Sequence, residues 1–517
     1  MEESQRATQR GGATAAVVRP RLIFILLATA IYLAVGCLAS APFGTRTDEE
    51  YSLATTAHGV GYALSRAMSY ELQAPLYFGI LAAWREINAS VWFARLFSLL
   101  CATAFVFVLA KIGSRIAPEI EPLPFAALAA LNPFVVTAAF EIRLYALALL
   151  LSGLMWLAFE DGFVSGASRQ SRVAFVLLAI SGIYVQYFLA FMLVGFGCSL
   201  LVLWRPKVFR AYLACASVVA LAALPLAIAA HSQLGGYETG TAPPLWPLVM
   251  GVAAHPLIEF LFPRDFAWNT VPVERFAYHA VVVSTVLVLA IARPRFSRKS
   301  VALVASAAGV QLTYVALAAA LALQLNGRYF VALFVPVAAA SYGVFQAVRL
   351  GPRPKLSWAF ASIVALTLLT LFSQYRFLAP PGDWKRVAGY LESHATPGDV
   401  IAIFPADGLP AFERQYRGSV RVEPFPRPYS TEQYSVRVLS INSPAEARAA
   451  FAKLDGYRRI WFVDGTPCPA DDQEYGCANL VPVLASEFRA PAERAFYRNT
   501  LYELLRLGPQ THPQSVR

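Results

Sequence analysis

Residues 22–51 read LIFILLATAIYLAVGCLASAPFGTRTDEEY, and this stretch decides the fold. Its first part, Leu22–Ala41, carries no charge. At ~1.5 Å per helical residue it is long enough to cross ~30 Å of hydrocarbon. It follows Arg6, Arg10, Arg19 and Arg21, which puts its start in the cytoplasm by the positive-inside rule. A cleaved signal peptide is the rival reading. The run is longer than a usual signal core, and Ala39-Ser40-Ala41 is a weak cleavage match, so an uncleaved first span is preferred. Directly behind it stand Thr47-Asp48-Glu49-Glu50-Tyr51. Three adjacent carboxylates at a membrane edge are costly to bury and need a reason.

The rest of the chain agrees with a polytopic α-helical membrane protein. Of 517 residues, 57% are hydrophobic and 15% charged, and the mean hydropathy is +0.52. A soluble protein carries about 25% charged residues. A wholly cytosolic enzyme and a disordered chain are both excluded. The net charge of +11 is explained by basic cytoplasmic loops, not by nucleic acid.

Further apolar runs fall near 92–110, 122–140, 145–159, 173–187, 188–203, 211–230, 276–292, 301–324, 329–347 and 357–377. With the first they predict about eleven transmembrane helices. Basic residues cluster at Lys111/Arg115, Arg169/Arg172, Arg205/Lys207/Arg210, Arg293/Arg295/Arg298/Lys299 and Arg349/Arg353/Lys355, always after an even-numbered span. All of these loops then lie in the cytoplasm. Residues 42–91, the turn at Glu141, residues 231–275, Asn326–Arg328 and the tail lie outside. Pro75–Trp84 is too short to span and reads as a helix at the membrane surface, with Tyr77 and Trp84 suited to the interface.

Three regions follow: a cytoplasmic N-terminal tail over 1–20, a transmembrane catalytic region over 21–378 with its first outer loop at 42–91, and an extracytoplasmic domain over 379–517. In the last, Asp399–Phe404 and Arg459–Val463 read as buried strands. Trp384–Ser393, Pro444–Leu454 and Pro491–Thr500 read as helices. Alternation of the two predicts a small α/β domain. It has no GxGxxG and no Walker loop, so no nucleotide cofactor is expected.

Four outer-side elements can carry chemistry. Each also has a plain alternative. Asp48-Glu49-Glu50 can be a solvated loop. Glu71, ahead of Pro75-Leu76-Tyr77, can be a helix-start acid favoured by the macrodipole. Glu141 and Arg143 can be one local ion pair. Arg328, beside Tyr329, can be a snorkelling anchor. The topology nevertheless puts all four on one face. Acids and arginines together at a membrane boundary suit a lipid-linked phosphate, which arginine holds by forked bonds. The carboxylates can act as a general base or bind a divalent metal.

In order, the chain shows Asp48-Glu49; Glu71…Pro75-Leu76-Tyr77-Phe78; Ala94-Arg95-Leu96-Phe97-Ser98; Asn132-Pro133-Phe134…Glu141-Ile142-Arg143-Leu144-Tyr145-Ala146-Leu147; and Arg328-Tyr329. This set resembles the polytopic GT-C glycosyltransferases of the protein-mannosyltransferase and aminoarabinose-transferase kind, and especially their rhizobial galacturonosyltransferase-like branch. The tail is similar to that branch in Asp383-Trp384 and Pro397-Gly398-Asp399-Val400. The family's His-Pro-Pro-Leu is here Gln73-Ala74-Pro75-Leu76, and the Pro of its Arg-Leu-Pro-Ser element is Phe97. The resemblance implies an inverting transfer of a sugar from a polyprenyl-phosphate donor to an envelope glycan, lipid or protein, at the outer face of the cell (inner) membrane. It implies Asp48 as general base and Glu49 in substrate binding. It makes Glu71 and Glu141 acids that shape the site or hold a metal such as Mg or Mn. Arg143 and Arg328 are candidates for the donor phosphate, with Tyr145 and Tyr329 beside them in the substrate site. A secondary transporter or flippase of a lipid-linked or anionic substrate is the alternative. A scaffold whose tail binds a partner is another.

Cys37, Cys101, Cys198 and Cys215 lie in apolar runs and read as core residues. Cys468 and Cys477 lie in the polar tail, in the compartment where disulfides persist. Pro469 and Gly476 can turn the chain back, so a disulfide is expected there. Zinc and two free thiols are the other options.

Overall fold

The computed structural model describes residues 25–119, 123–166, 168–234, 245–246, 249, 251–252, 271–321, 325, 327–359, 361–362, 384–429, 436–465, 475–496 and 499–506. The chain begins with α1 (Ile25–Ser40). It continues with α2 (Thr47–Thr55), α3 (Gly59–Ser69), α4 (Leu76–Ile87), α5 (Val91–Ile116), α6 (Leu123–Ala130), α7 (Pro133–Phe140) and α8 (Tyr145–Phe159). Then come α9 (Arg169–Val185), α10 (Phe191–Leu203), α11 (Pro206–Leu234), α12 (Val271–Ala292), α13 (Arg298–Leu321) and α14 (Val331–Arg349). Among the described residues, five helices are long and apolar enough to cross a membrane, and three shorter ones are apolar. In α11 only 11% of the apolar window is buried, while Leu221 and Ile228 are 71% and 65% exposed. An apolar face of that size needs lipid as its solvent.

One expectation about this region is corrected. The run 122–140 is not one helix. It breaks at Asn132-Pro133, where the Asn132 side chain caps α7 by accepting from the Phe134 amide at 2.9 Å. Proline lacks the N–H needed to continue a helix but fits a helix start. The run Pro75–Trp84 is helical as expected. It forms α4, with Tyr77 and Phe78 fully buried on the face against the protein and Ile80 and Ile87 exposed on the other. Leu72, at φ 51°, takes the left-handed conformation that turns the chain from α3 into α4. The run 357–377 lies largely outside the described residues, as does the start of the first span.

The basic loops gather at one end of the bundle. Arg115 pairs with Asp161, and the Lys299 amine donates to the Arg115 carbonyl and pairs with Glu160. Arg172 and Arg205 donate to the Gly162 and Val164 carbonyls, and Arg353 to that of Ile291. The acidic elements sit at the other end, where α5 starts.

On that acidic end sits the C-terminal domain. It comprises α15 (Trp384–His394), β1 (Asp399–Phe404), α16 (Leu409–Gln415), β2 (Arg421–Pro424), α17 (Pro444–Ala452), β3 (Arg459–Asp464), α18 (Cys477–Glu487), β4 (Phe488–Phe496) and β5 (Asn499–Arg506), with a short helix at Val436–Leu439. The sheet order is β2-β1-β3-β5-β4. The first three strands are parallel, and β5 and β4 are antiparallel. β1 is buried along its whole length, as a strand covered on both faces must be. Helices α15 and α16 cover one side, and α17 and α18 the other. The helix expected at Pro491–Thr500 is instead part of the β4–β5 hairpin. Pro491 lies where the register slips between Arg489 and Ala492, so its missing N–H costs no ladder bond. Cys477 is buried and disulfide-bonded; Cys468, its expected partner, lies outside the described residues.

Candidate functional site

Helix α2 organises the acidic end. Successive helical residues point about 100° apart, so Asp48, Glu49, Glu50 and Tyr51 fan out in four directions and meet four different partners. Acids in the first turn are also favoured by the helix dipole.

Glu49 points inward and is 2% exposed. One oxygen accepts from Arg95 of α5 at 3.1 Å and from the Ile142 amide at 3.0 Å; the other accepts from the Arg46 amide at 2.8 Å. Arg95 also donates to the Gly44 and Phe43 carbonyls at 2.8 and 3.2 Å. Glu49 thus joins α2, α5 and the α7–α8 turn.

Arg143 is equally committed. Its Nη1 lies 3.1 Å from the Asp48 carbonyl, 3.1 Å from Ser52 Oγ and 3.1 Å from Glu71 Oε2. Buried under α2, it ties the helix to Glu71 through Nη1. Glu71 accepts in addition from Thr55 Oγ1 at 2.8 Å. Its burial outweighs Arg143 and raises its carboxyl above the ordinary range. Glu141 is paired with Arg46, not with Arg143 as a local pair would be. Tyr145 is buried beneath Arg328, whose guanidinium lies 5.8 Å from the ring centroid. Tyr329 packs its ring 5.5 Å from Phe188 and accepts from Tyr314 through its carbonyl.

Asp48 differs from the other acids. Its side chain is 36% exposed and its Oδ2 meets Arg328 Nη1 at 2.6 Å, with Arg328 itself 28% exposed. Burial alone would raise its carboxyl, but Arg328, Arg143 and Arg46 together hold it well below the usual carboxylate range.

Glu71 and Glu141 do not suit a resident divalent metal. Each faces a guanidinium, which competes with a cation for the same oxygens. Among the described residues no three of His, Cys, Asp and Glu come together to hold one.

Nothing in the local spacing signals that the C-terminal domain reaches this site. Arg414 of α16 holds Glu50 through both Nε and Nη2, the latter at 2.6 Å. Tyr51 donates to Asp407 at 2.8 Å. Asp407 is 8% exposed. Burial first, then the charge of Asp48, push its carboxyl up to about 6 from an ordinary 3.8, against the donation from Tyr51. The fold therefore favours the protonated form. That contribution is complete below pH ~4 and is lost as pH rises through about 6. Asp407→Asn keeps an acceptor for Tyr51 and removes the charge. The variant is expected to be more stable than wild type at pH 8, by up to about 3 kcal/mol, and equal to it at pH 4. Thermal unfolding at the two pH values checks this.

No protein-family profile matches the chain, and no curated protein matches it. Two solved structures are similar over most of its length. One is the crystal structure of ArnT from Cupriavidus metallidurans in the apo state, with TM-score 0.40 and 16% identity, covering 93% of this chain and 97% of that one. The other is ArnT from the same organism bound to undecaprenyl phosphate, with TM-score 0.42, 16% identity and the same coverage.

Proposed function

We propose that this chain is an inverting glycosyltransferase, moving a sugar from a polyprenyl-phosphate donor to a hydroxyl of an envelope glycan, lipid or protein at the outer face of the membrane. The observation that carries this reading is the Asp48–Arg328 pair: a reachable carboxylate and a reachable guanidinium, 2.6 Å apart, above a floor of acids already neutralised by arginines. The outer-face assignment rests on the basic loops at the opposite end of the bundle, which belong in the cytoplasm.

The chemistry follows from the pair. The acceptor oxygen attacks the anomeric carbon, Asp48 takes its proton, and the bond to the lipid phosphate breaks with its electron pair on the phosphate. Arg328 stabilises that growing charge. While Arg328 holds Asp48, the carboxylate is a weak base. A donor phosphate competes for the guanidinium through forked bonds, and the Asp48 carboxyl then rises toward its ordinary range. The donor thereby activates the base as it binds. One displacement suffices, and no nucleotide is needed because the lipid carries the activated bond.

Purified protein offered radiolabelled polyprenyl-phosphate sugars one at a time, with envelope extract as acceptor, tests the reading. Label should leave the lipid and appear on the acceptor. Movement of intact labelled lipid across vesicles without bond cleavage would instead support a flippase. Arg328→Ala is expected to lower transfer by about 10²-fold, with Arg328→Lys in between. In the alanine variant the acid limb of the kcat/KM profile, which reports the free enzyme, should move up. An unmoved limb would show that Arg328 does not tune Asp48.

A further inference from the structure

We propose that the C-terminal α/β domain is a working part of this active site: through Arg414 and Asp407 it grips the helix that carries Asp48, and so sets where the carboxylate stands. This rests on the assignment of Asp48 above, but the grip itself is read from contacts alone.

Helix α2 has nine residues, and a helix so short is marginal without tertiary support. The membrane region holds it on two sides, through Glu49 with Arg95 and through Arg143. Glu50 and the Tyr51 hydroxyl turn to the C-terminal domain, while the Tyr51 ring also packs edge-on against Tyr70 of the membrane region. Arg414 meets Glu50 as a fork, an arrangement that fixes direction as well as distance. Glu50 is 5% exposed and Arg414 43% exposed, so the carboxylate is withdrawn from water while the guanidinium reaches in from the rim. Tyr51 bonded to Asp407 supplies a second point, which prevents rotation about the first. Asp407 lies in the short 3₁₀ turn Ala406–Gly408 that leads directly into α16, which carries Arg414, so both come from one continuous segment.

The gripping segment is itself rigid. A side chain at Gly408 would meet the Trp384 ring at 2.7 Å, and Ala411 and Phe412 are fully buried in the domain core. Two flanking contacts seat the domain on the strand leading into α2: Lys385 Nζ donates to the Pro42 carbonyl at 3.2 Å, and Gly44 packs against Gln415. A base displaced by about 1 Å can cost 10²-fold in rate. The domain is therefore placed to govern turnover without touching substrate, and Arg414 and Asp407 are positioning residues.

The test uses full-length protein in nanodiscs, with Arg414→Ala, Arg414→Lys and Tyr51→Phe. Expected in Arg414→Ala are faster hydrogen exchange confined to residues 47–55, a kcat lower by about tenfold or more with donor KM little changed, and partial recovery in Arg414→Lys. Tyr51→Phe removes one hydroxyl and keeps the ring. It should show the same changes, smaller, even if Arg414→Ala fails to fold. Unchanged exchange over 47–55 in a folded variant would overturn the grip, as would a loss confined to KM. Exchange needs no substrate. If wild type transfers no sugar, the glycosyltransferase reading falls, while exchange still decides the grip.

Discussion

Asp48→Asn is expected to lower transfer by about 10²–10⁴-fold while the protein stays folded and inserted. Asparagine keeps the shape of the side chain and removes only the proton acceptor. Loss of the pair with Arg328 is inexpensive, because both groups are partly solvated and exposed ion pairs contribute little. The Asp48 carbonyl that receives Arg143 belongs to the backbone and survives the change. Kinetics and a thermal melt on the same preparation check both halves. Full activity would remove Asp48 from the mechanism. A collapsed melting temperature would mean that its role is structural.

The opposite outcome is expected one residue along. Glu49→Ala strips a buried carboxylate of its three donors and leaves Arg95, 3% exposed, as an uncompensated buried charge. Breaking such a pair from one side costs about 3–5 kcal/mol. Lost activity in this variant should therefore follow lost folding, seen as a lower unfolding midpoint in detergent. Pairing it with Arg95→Met removes the orphaned charge and should recover a substantial part. No recovery in the double variant would mean that the amides of Arg46 and Ile142, not Arg95, make Glu49 indispensable. Adjacent acids in one sequence motif thus separate into one that is partly exposed and one that is buried.

That separation shows where sequence reading ends. Composition, the apolar runs and the spacing of basic loops settled the membrane region, because a bilayer imposes length and charge rules on local sequence. Strands β1 and β3 were legible because strands covered on both faces read as continuous apolar runs. The β4–β5 hairpin was not. Its helix-like pattern lost to pairing with β3, a partner about forty positions earlier that no local window contains. The gathering of Asp48, Glu71, Glu141, Arg143 and Arg328 at one end was also legible, since topology alone fixes which loops share a side.

Sequence by itself thus determined the class of the protein, the end that carries the chemistry and the residue types found there. The tertiary structure decided which of those residues are buried and which stay exposed. Glu49, Glu71, Glu141 and Arg143 look like Asp48 in the sequence, yet they are buried against partners from other parts of the chain. Asp48, itself paired with the distant Arg328, keeps a side chain 36% exposed. Arg414 and Asp407 lie more than 350 positions from the helix they hold. The physical reason is that the availability of a charge depends on its burial and on the opposite charge facing it. Both are properties of packing across distant segments, and neither is encoded in local spacing.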